Sequence, residues 1–412
     1  MFYFLNAKVV RMFLLSKEYL LFFAVKISFF PFFNNFIVLF KDFTKMSNKI
    51  LFGYPIVFLK KILQSFKSRI FLLETCHKYL FCLIFTFSAC KNQEKISQNW
   101  YHWKGTLHLD SLERKYAEHL QSKTLYLRFF DVDFHPEQKA IPIGDLQIQN
   151  TDIKPFQKVV AVVFVTNRTM LQSQPAEIPL LAKKISEKTF SKAQNNQIPL
   201  QGIQIDCDWS EKSKENFFLL CRTMKQICTE QKLSFSVTIR LHQYKYFSQT
   251  GVPDADAGIL MLYNVGDIEG KNTENSILEL SLVEKYLQNA EKYPLPLKVA
   301  LPIFQWAVVK RMGKVVHLLS EITERDLEQN LQLKKIQEKR YKVRENHYFG
   351  GVFLYEQDEL RWENVSLENL EKLTKAVASK IPTTEMIFYH LDSHLIQQYP
   401  YEKLQNLVHY WF

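Results

Sequence analysis

Short apolar, β-branched runs alternate along the chain with longer segments of helical period. The runs are TLYLRFFDVDF (124–134), KVVAVVFVTN (158–167), GIQIDCDW (202–209), LSFSVTIRL (233–241), AGILMLYNVG (257–266), LPLKVALPIFQW (295–306), GGVFLYEQD (350–358) and EMIFYHLD (385–392). Each predicts a strand. Between them, Phe217, Leu220, Cys221, Met224, Ile227 and Cys228 recur at helical spacing, as do Ile277, Leu280, Val283 and Leu287. SLENLEKLTKAV (366–377) opens on a serine cap. Strands separated by helices are parallel with right-handed crossovers, and eight such units predict an α/β chain folded as a closed (β/α)8 TIM barrel. An open doubly wound sheet is the alternative, but no G-x-G-x-x-G turn follows any strand. In 233–241, Ser234, Ser236, Thr238 and Arg240 share one face and Phe235, Val237, Ile239 and Leu241 the other, as suits a barrel wall.

Charge changes the picture at the amino terminus. The chain is 412 residues long with a net charge of +11, but Met1–Ala89 holds 12 basic residues against 3 acidic. The remaining residues carry 41 basic against 39 acidic side chains, too even a balance for a nucleic-acid partner. Lys78, the apolar stretch YLFCLIFTFSAC (79–90) and the polar KNQEK form a positive flank, a short apolar core and a small-residue ending at a cysteine. This resembles a bacterial lipoprotein signal with cleavage before Cys90 and lipidation of its thiol. The expected organisation is an over-extended or disordered segment at 1–70, a signal peptide at 71–89, a lipidated Cys90 with tether and lead-in helix at 90–120, and the barrel at 121–412. The protein is then expected at the bacterial cell envelope, held to the membrane by the lipid. Cys207, Cys221 and Cys228 are odd in number and lack C-x-x-C spacing, which argues against zinc or a disulfide framework.

In such barrels the strand carboxyl ends line the site. Asp206 and Asp208 end the 202–209 run on one face, with Cα atoms roughly 6.6 Å apart, close enough for one carboxylate to raise the pKa of the other. Other strand ends supply Asp131, Asp133, Arg240, Tyr263, Asn264, Trp306, Tyr355 and Glu356. Carboxylates mixed with aromatic faces suit a sugar: acids move protons, and flat rings stack on pyranose faces. His135 follows the Asp131–Asp133 pair, but no second histidine motif completes a ligand set, so neither a metal nor an organic cofactor is expected.

QGIQIDCD (201–208) resembles the D-G-x-D-x-D-x-E strand of family-18 glycoside hydrolases, the chitinase-like barrels. LMLYN resembles the M-x-Y-D/N strand of that family, LKVALPIFQW its K-L-x-x-G-x-P-F-Y segment, and GGVFLYEQD its terminal G-G-x-M-x-W-x-x-D strand, with Tyr355 at the tryptophan position. The resemblance implies a polysaccharide or oligosaccharide partner. It also implies that Asp206 orients an N-acetyl group, that Asp208 stands at the position of the acid, and that Tyr263 and Asn264 form a clamp. Gln201 and Gln204 replace two family aspartates, and Asp208 is one methylene shorter than the family glutamate. Glu356 is the candidate for supplying an acid from across the mouth. The opening strand counts third here and fourth in the family. The expected function is a hydrolase-like exported lipoprotein acting on a polysaccharide; the alternative is a glycan-binding or structural envelope lipoprotein with a degenerate barrel.

Overall fold

The computed structural model describes residues 96–412 apart from Asn289 and Glu321. The readings at Cys90, at 71–89 and at 1–70 lie outside the described residues. Eight strands form the barrel: β1 (Ser97–His102), β2 (Thr124–His135), β3 (Lys158–Val165), β4 (Leu200–Asp206), β5 (Ser234–Arg240), β6 (Ala257–Met261), β7 (Leu297–Pro302) and β8 (Glu385–Tyr389). All neighbours pair in parallel, and β1 closes the barrel by pairing with both β8 and β2.

Seven of the eight predicted runs supply a barrel strand, and the eighth does not. GGVFLYEQD holds only Val352–Leu354, paired antiparallel with His347–Phe349 in a separate hairpin. Gly350 and Gly351, with φ of +56° and +79°, make its turn. The true first strand, β1, lies in the stretch expected to be tether and lead-in helix, and the helix Ser111–His119 follows it. Strand β1 escapes an apolar-run reading because Gln98, Asn99 and His102 are polar yet buried. Two of them are bonded inside the fold: Gln98 donates to the Leu404 carbonyl at 2.6 Å, and Asn99 donates to Glu385 at 2.7 Å while accepting from the Lys123 and Thr124 amides. Counting β1 makes Leu200–Asp206 the fourth strand, which removes the mismatch of order with the family.

β3, KVVAVVFV, is apolar on both faces because it sits between the barrel interior and the helix layer. The helices Ile178–Asn195 and Lys214–Glu230 cover this side, and Cys207, Cys221 and Cys228 are buried in the same core. Among the described residues no helix joins β2 to β3; β2 instead runs on into an antiparallel hairpin with Lys139–Ile143.

The charged stretch 309–346 holds the strands Lys314–Leu319, Leu333–Gln337 and Arg340–Val343 and the short helix Glu324–Gln329. It belongs to an insertion between β7 and β8. Its five-stranded antiparallel sheet is ordered Lys314–Leu319, Gln305–Arg311, Glu359–Asn364, Arg340–Val343, Leu333–Gln337. A separate core of Ala307, Val309, Leu319, Leu327, Tyr341, Leu360 and Trp362 supports it. Alternation in these strands gives one apolar and one charged face, so neither face alone reads as a core element.

Candidate functional site

Alternation along β4 turns Gln204 and Asp206 toward the barrel interior, one layer apart. Gln204 is fully buried and shares a hydrogen bond with the Tyr101 hydroxyl of β1, with contacts of 2.7 and 3.1 Å. The amide that stands where the family has an aspartate is therefore a neutral strut of the barrel floor. Asp206 lies above it, at the end of β4. It touches solvent but is enclosed by protein on every side, as at the bottom of a pit. Among the described residues its one hydrogen bond comes from Thr238 Oγ1 on β5, at 2.7 Å to Oδ1. Burial, and next the charge of Asp208, raise its pKa to about 6 against the opposing pull of Thr238 and Arg240.

Asp208 is placed differently. Arg240, at the end of β5, grips both its oxygens, with Nε at 2.5 Å from Oδ1 and Nη2 on Oδ2. The same fate meets the second acid pair. Asp131 is held by Arg128, which reaches it across a register shift in β2, and Asp133 is held by Arg168 and by the Thr166 hydroxyl. The sequence reading treated these acids as free groups. In the fold three of the four are occupied by arginine, and only Asp206 is not.

An aromatic file lies at the same strand ends, and three of its members, Tyr101, Tyr263 and Tyr389, are close enough to Asp206 to feel its charge. Tyr389, the last residue of β8, lies 5.8 Å from the ring of Tyr101, 5.5 Å from Trp103, 5.0 Å from Tyr263 and 5.3 Å from Phe304. Tyr263 and Tyr389 are near parallel, at 26°. Trp306 continues the file beyond Phe304 at 5.2 Å. Its indole Nε1 donates to Glu363 at 2.8 Å, and the same carboxylate oxygen accepts from the backbone amide and hydroxyl of Ser276. Glu363 thereby joins the insertion, Trp306 and the loop after β6. Asn264 is exposed and left-handed, with φ of +54°, and its amide anchors that loop to the Ile277 carbonyl at 2.7 Å.

Tyr355 and Glu356 are not brought to this group. Tyr355 is exposed on the insertion, with the Arg311 guanidinium 4.1 Å from its ring and Phe353 at 5.0 Å. The Glu356 amide is fixed by the Asn346 side chain. The physical reason is the hairpin: the segment that carries both is part of the insertion and not a barrel strand. Trp103, Tyr101, Arg128 and Tyr389 were missed. Tyr389 was legible from the two-residue period of EMIFY, which puts it on one face with Glu385 and Ile387. Trp103 follows a strand that the apolar pattern does not show.

Among the described residues no three His, Cys, Asp or Glu side chains converge as a metal site would need, and no helix is long and apolar enough to cross a membrane. A polar cavity of about 420 Å³ lies elsewhere, walled by Glu274, Asn275, Lys339, Arg340 and Arg361 among others.

No protein-family model matches the chain, and no curated protein matches it. Among solved structures it is similar to the spore cortex-lytic enzyme SleL of Bacillus cereus, with a TM-score of 0.46, 13% identity, and 77% of this chain and 74% of that chain covered. It is also similar to a chitinase of Chromobacterium violaceum (TM-score 0.43, 11% identity, 76% and 99% covered) and to the Group IV chitinase of Ostrinia furnacalis (0.44, 12%, 76% and 98%). The resemblance is remote.

Proposed function

We propose that the barrel mouth binds an oligosaccharide and has given up the proton transfer that would cleave it. The aromatic file from Trp103 through Tyr389 and Phe304 to Trp306 supports the sugar. The observation that carries the loss of cleavage is the grip of Arg240 on Asp208. Cleavage with a carboxylic acid needs one that presents a proton to the leaving oxygen. Asp208 has both oxygens engaged as acceptors on a side chain already one methylene short, and misplacement on the ångström scale is costly for such a step. The test is direct binding of glycan fragments by calorimetry beside reducing-end release from the same glycans. Affinity without release supports the reading, and release that disappears in Asp208→Asn refutes it.

One observation favours a second reading. Asp206, with its pKa raised to about 6, is a carboxyl part-protonated near neutral pH, the state a general acid needs. A hydrolase working through Asp206 would show release with a limb near pH 6 that vanishes in Asp206→Asn and persists in Asp208→Asn.

The location belongs to the same proposal: an envelope protein tethered by lipid at Cys90, supported by the signal-like pattern of 78–90. Incorporation of labelled fatty acid into the protein, and its absence in Cys90→Ser, is the expected result.

A further inference from the structure

Charge around the pit leaves one group uncompensated. The ionisable groups facing Asp206 are Asp208 two residues beyond it, Arg240 on β5, Asp131 on β2, and the phenols Tyr101 on β1, Tyr263 just after β6 and Tyr389 on β8; Arg128, also on β2, faces Tyr389. Arg240 is tied to Asp208 and Arg128 to Asp131, so each cation carries its own anion. Burial holds the three phenols above their ordinary pKa and hence neutral. Thr238 occupies Oδ1 of Asp206, and no protein donor among the described residues occupies Oδ2. What remains is a single free carboxylate oxygen near the phenols of Tyr389, Tyr263 and Tyr101, with Trp103 and Phe304 packed against Tyr389.

Aromatic faces carry negative potential and attract cations, and the attraction grows where water is excluded. A carboxylate beneath such a cage adds a charge-assisted hydrogen bond to any ammonium placed there. An N-acetyl amide can also donate its N–H to that carboxylate, but it carries no charge and gains nothing from the aromatic faces. We propose that the pit takes a cationic amino group, so that the oligosaccharide bound at the mouth carries a free 2-amino group in place of an N-acetyl group. This rests on the glycan reading above and narrows it to amino sugars. The bound ammonium keeps Asp206 ionised, so binding releases the proton that the empty pit holds below about pH 6.

The experiment is calorimetric titration of the protein with glucosamine tetramer and with N-acetylglucosamine tetramer at pH 6, in the parent and in Asp206→Asn and Tyr389→Leu. The glucosamine tetramer is expected to bind about tenfold more tightly than the N-acetyl tetramer. That preference should vanish in Asp206→Asn and shrink in Tyr389→Leu, and the affinity of the parent for the glucosamine tetramer should fall as pH drops from 6 to 4.5. The preference is read in the parent, so it stands even if a variant fails to fold. Tighter binding of the N-acetyl tetramer, or equal losses for both tetramers in Asp206→Asn, overturns the amino-sugar proposal and leaves the glycan reading intact. Binding of neither tetramer, with binding of no other glycan, overturns both.

Discussion

Asp206→Asn should make the protein more stable, and the size of the gain should depend on pH. A carboxyl whose pKa rises from 3.8 to about 6 on folding resists ionisation in the fold by roughly 3 kcal/mol. The folded chain holds this proton more tightly than the unfolded chain. Its contribution to stability is therefore full below pH 3.8 and lost as pH rises through about 6. Asparagine stands in for the neutral carboxyl, and its side-chain oxygen still accepts from Thr238, so it should retain the hydrogen bond without the charge. At pH 8 the variant should gain about 3 kcal/mol, and at pH 5 about half of that. The assay is urea unfolding of parent and variant at pH 8, 6.5 and 5, with equal slopes required so that midpoints compare. A loss of stability at pH 8, or a gain that does not shrink toward pH 5, would refute the placement of Asp206 as an enclosed carboxylate held against its own preference. Such a group is the usual mark of a site kept for function.

Three further outcomes follow from the same contacts. Arg240→Met leaves Asp208 beside Asp206 with no counter-charge and should destabilise the fold by about 1 kcal/mol at pH 8, a modest figure because Asp208 is nearly half exposed; the loss should fade at pH 4, where Asp206 is protonated and no longer repels its neighbour. His102 and His390 are buried with pKa values depressed by desolvation to about 3 and about 4, so both protonate on unfolding below about pH 6.5. Their share of stability is complete above pH 6.5 and drains as pH falls toward 4, while Asp206 works in the opposite sense. The net loss between pH 6 and pH 5 should be roughly 1.4 kcal/mol, and the double variant His102→Phe, His390→Phe should turn it into a gain of about 1 kcal/mol, the share of Asp206 alone; an unchanged slope would contradict the burial. Glu363→Gln replaces a carboxylate that accepts from Trp306, Ser276 and Arg361, and it should cost about 2 to 4 kcal/mol by chemical denaturation because Arg361 is left buried without its partner.

The barrel was legible because its walls obey two simple periods. Runs such as KVVAVVFV can be buried on both faces only in a parallel sheet under helices. β1 was illegible for the opposite reason: Gln98 and Asn99 are satisfied by partners 24 to 306 positions away, which no local pattern reveals. The insertion misled in a different way. Its hairpin shares the G-G opening and an alternating pattern with a barrel strand, and only the left-handed Gly350 and Gly351 distinguish a turn from a strand start. At the site, the period-two reading placed Asp206 and Asp208 on one face. It could not show that Arg240 closes on one of them and Thr238 on the other, since that choice follows from the stagger of β5 against β4.

The central claim is a barrel mouth that binds glycan without cleaving it. The most direct test is a single incubation of the full-length protein with soluble fragments of chitin, chitosan and peptidoglycan, scored for affinity by calorimetry and for new reducing ends in the same samples. The expected result is saturable binding to at least one amino-sugar oligomer, weakened by Trp306→Ala and by Tyr389→Leu, with no new reducing ends over the incubation. New reducing ends that appear with the parent and vanish in Asp208→Asn would contradict it, because Asp208 would then be delivering a proton despite the grip of Arg240.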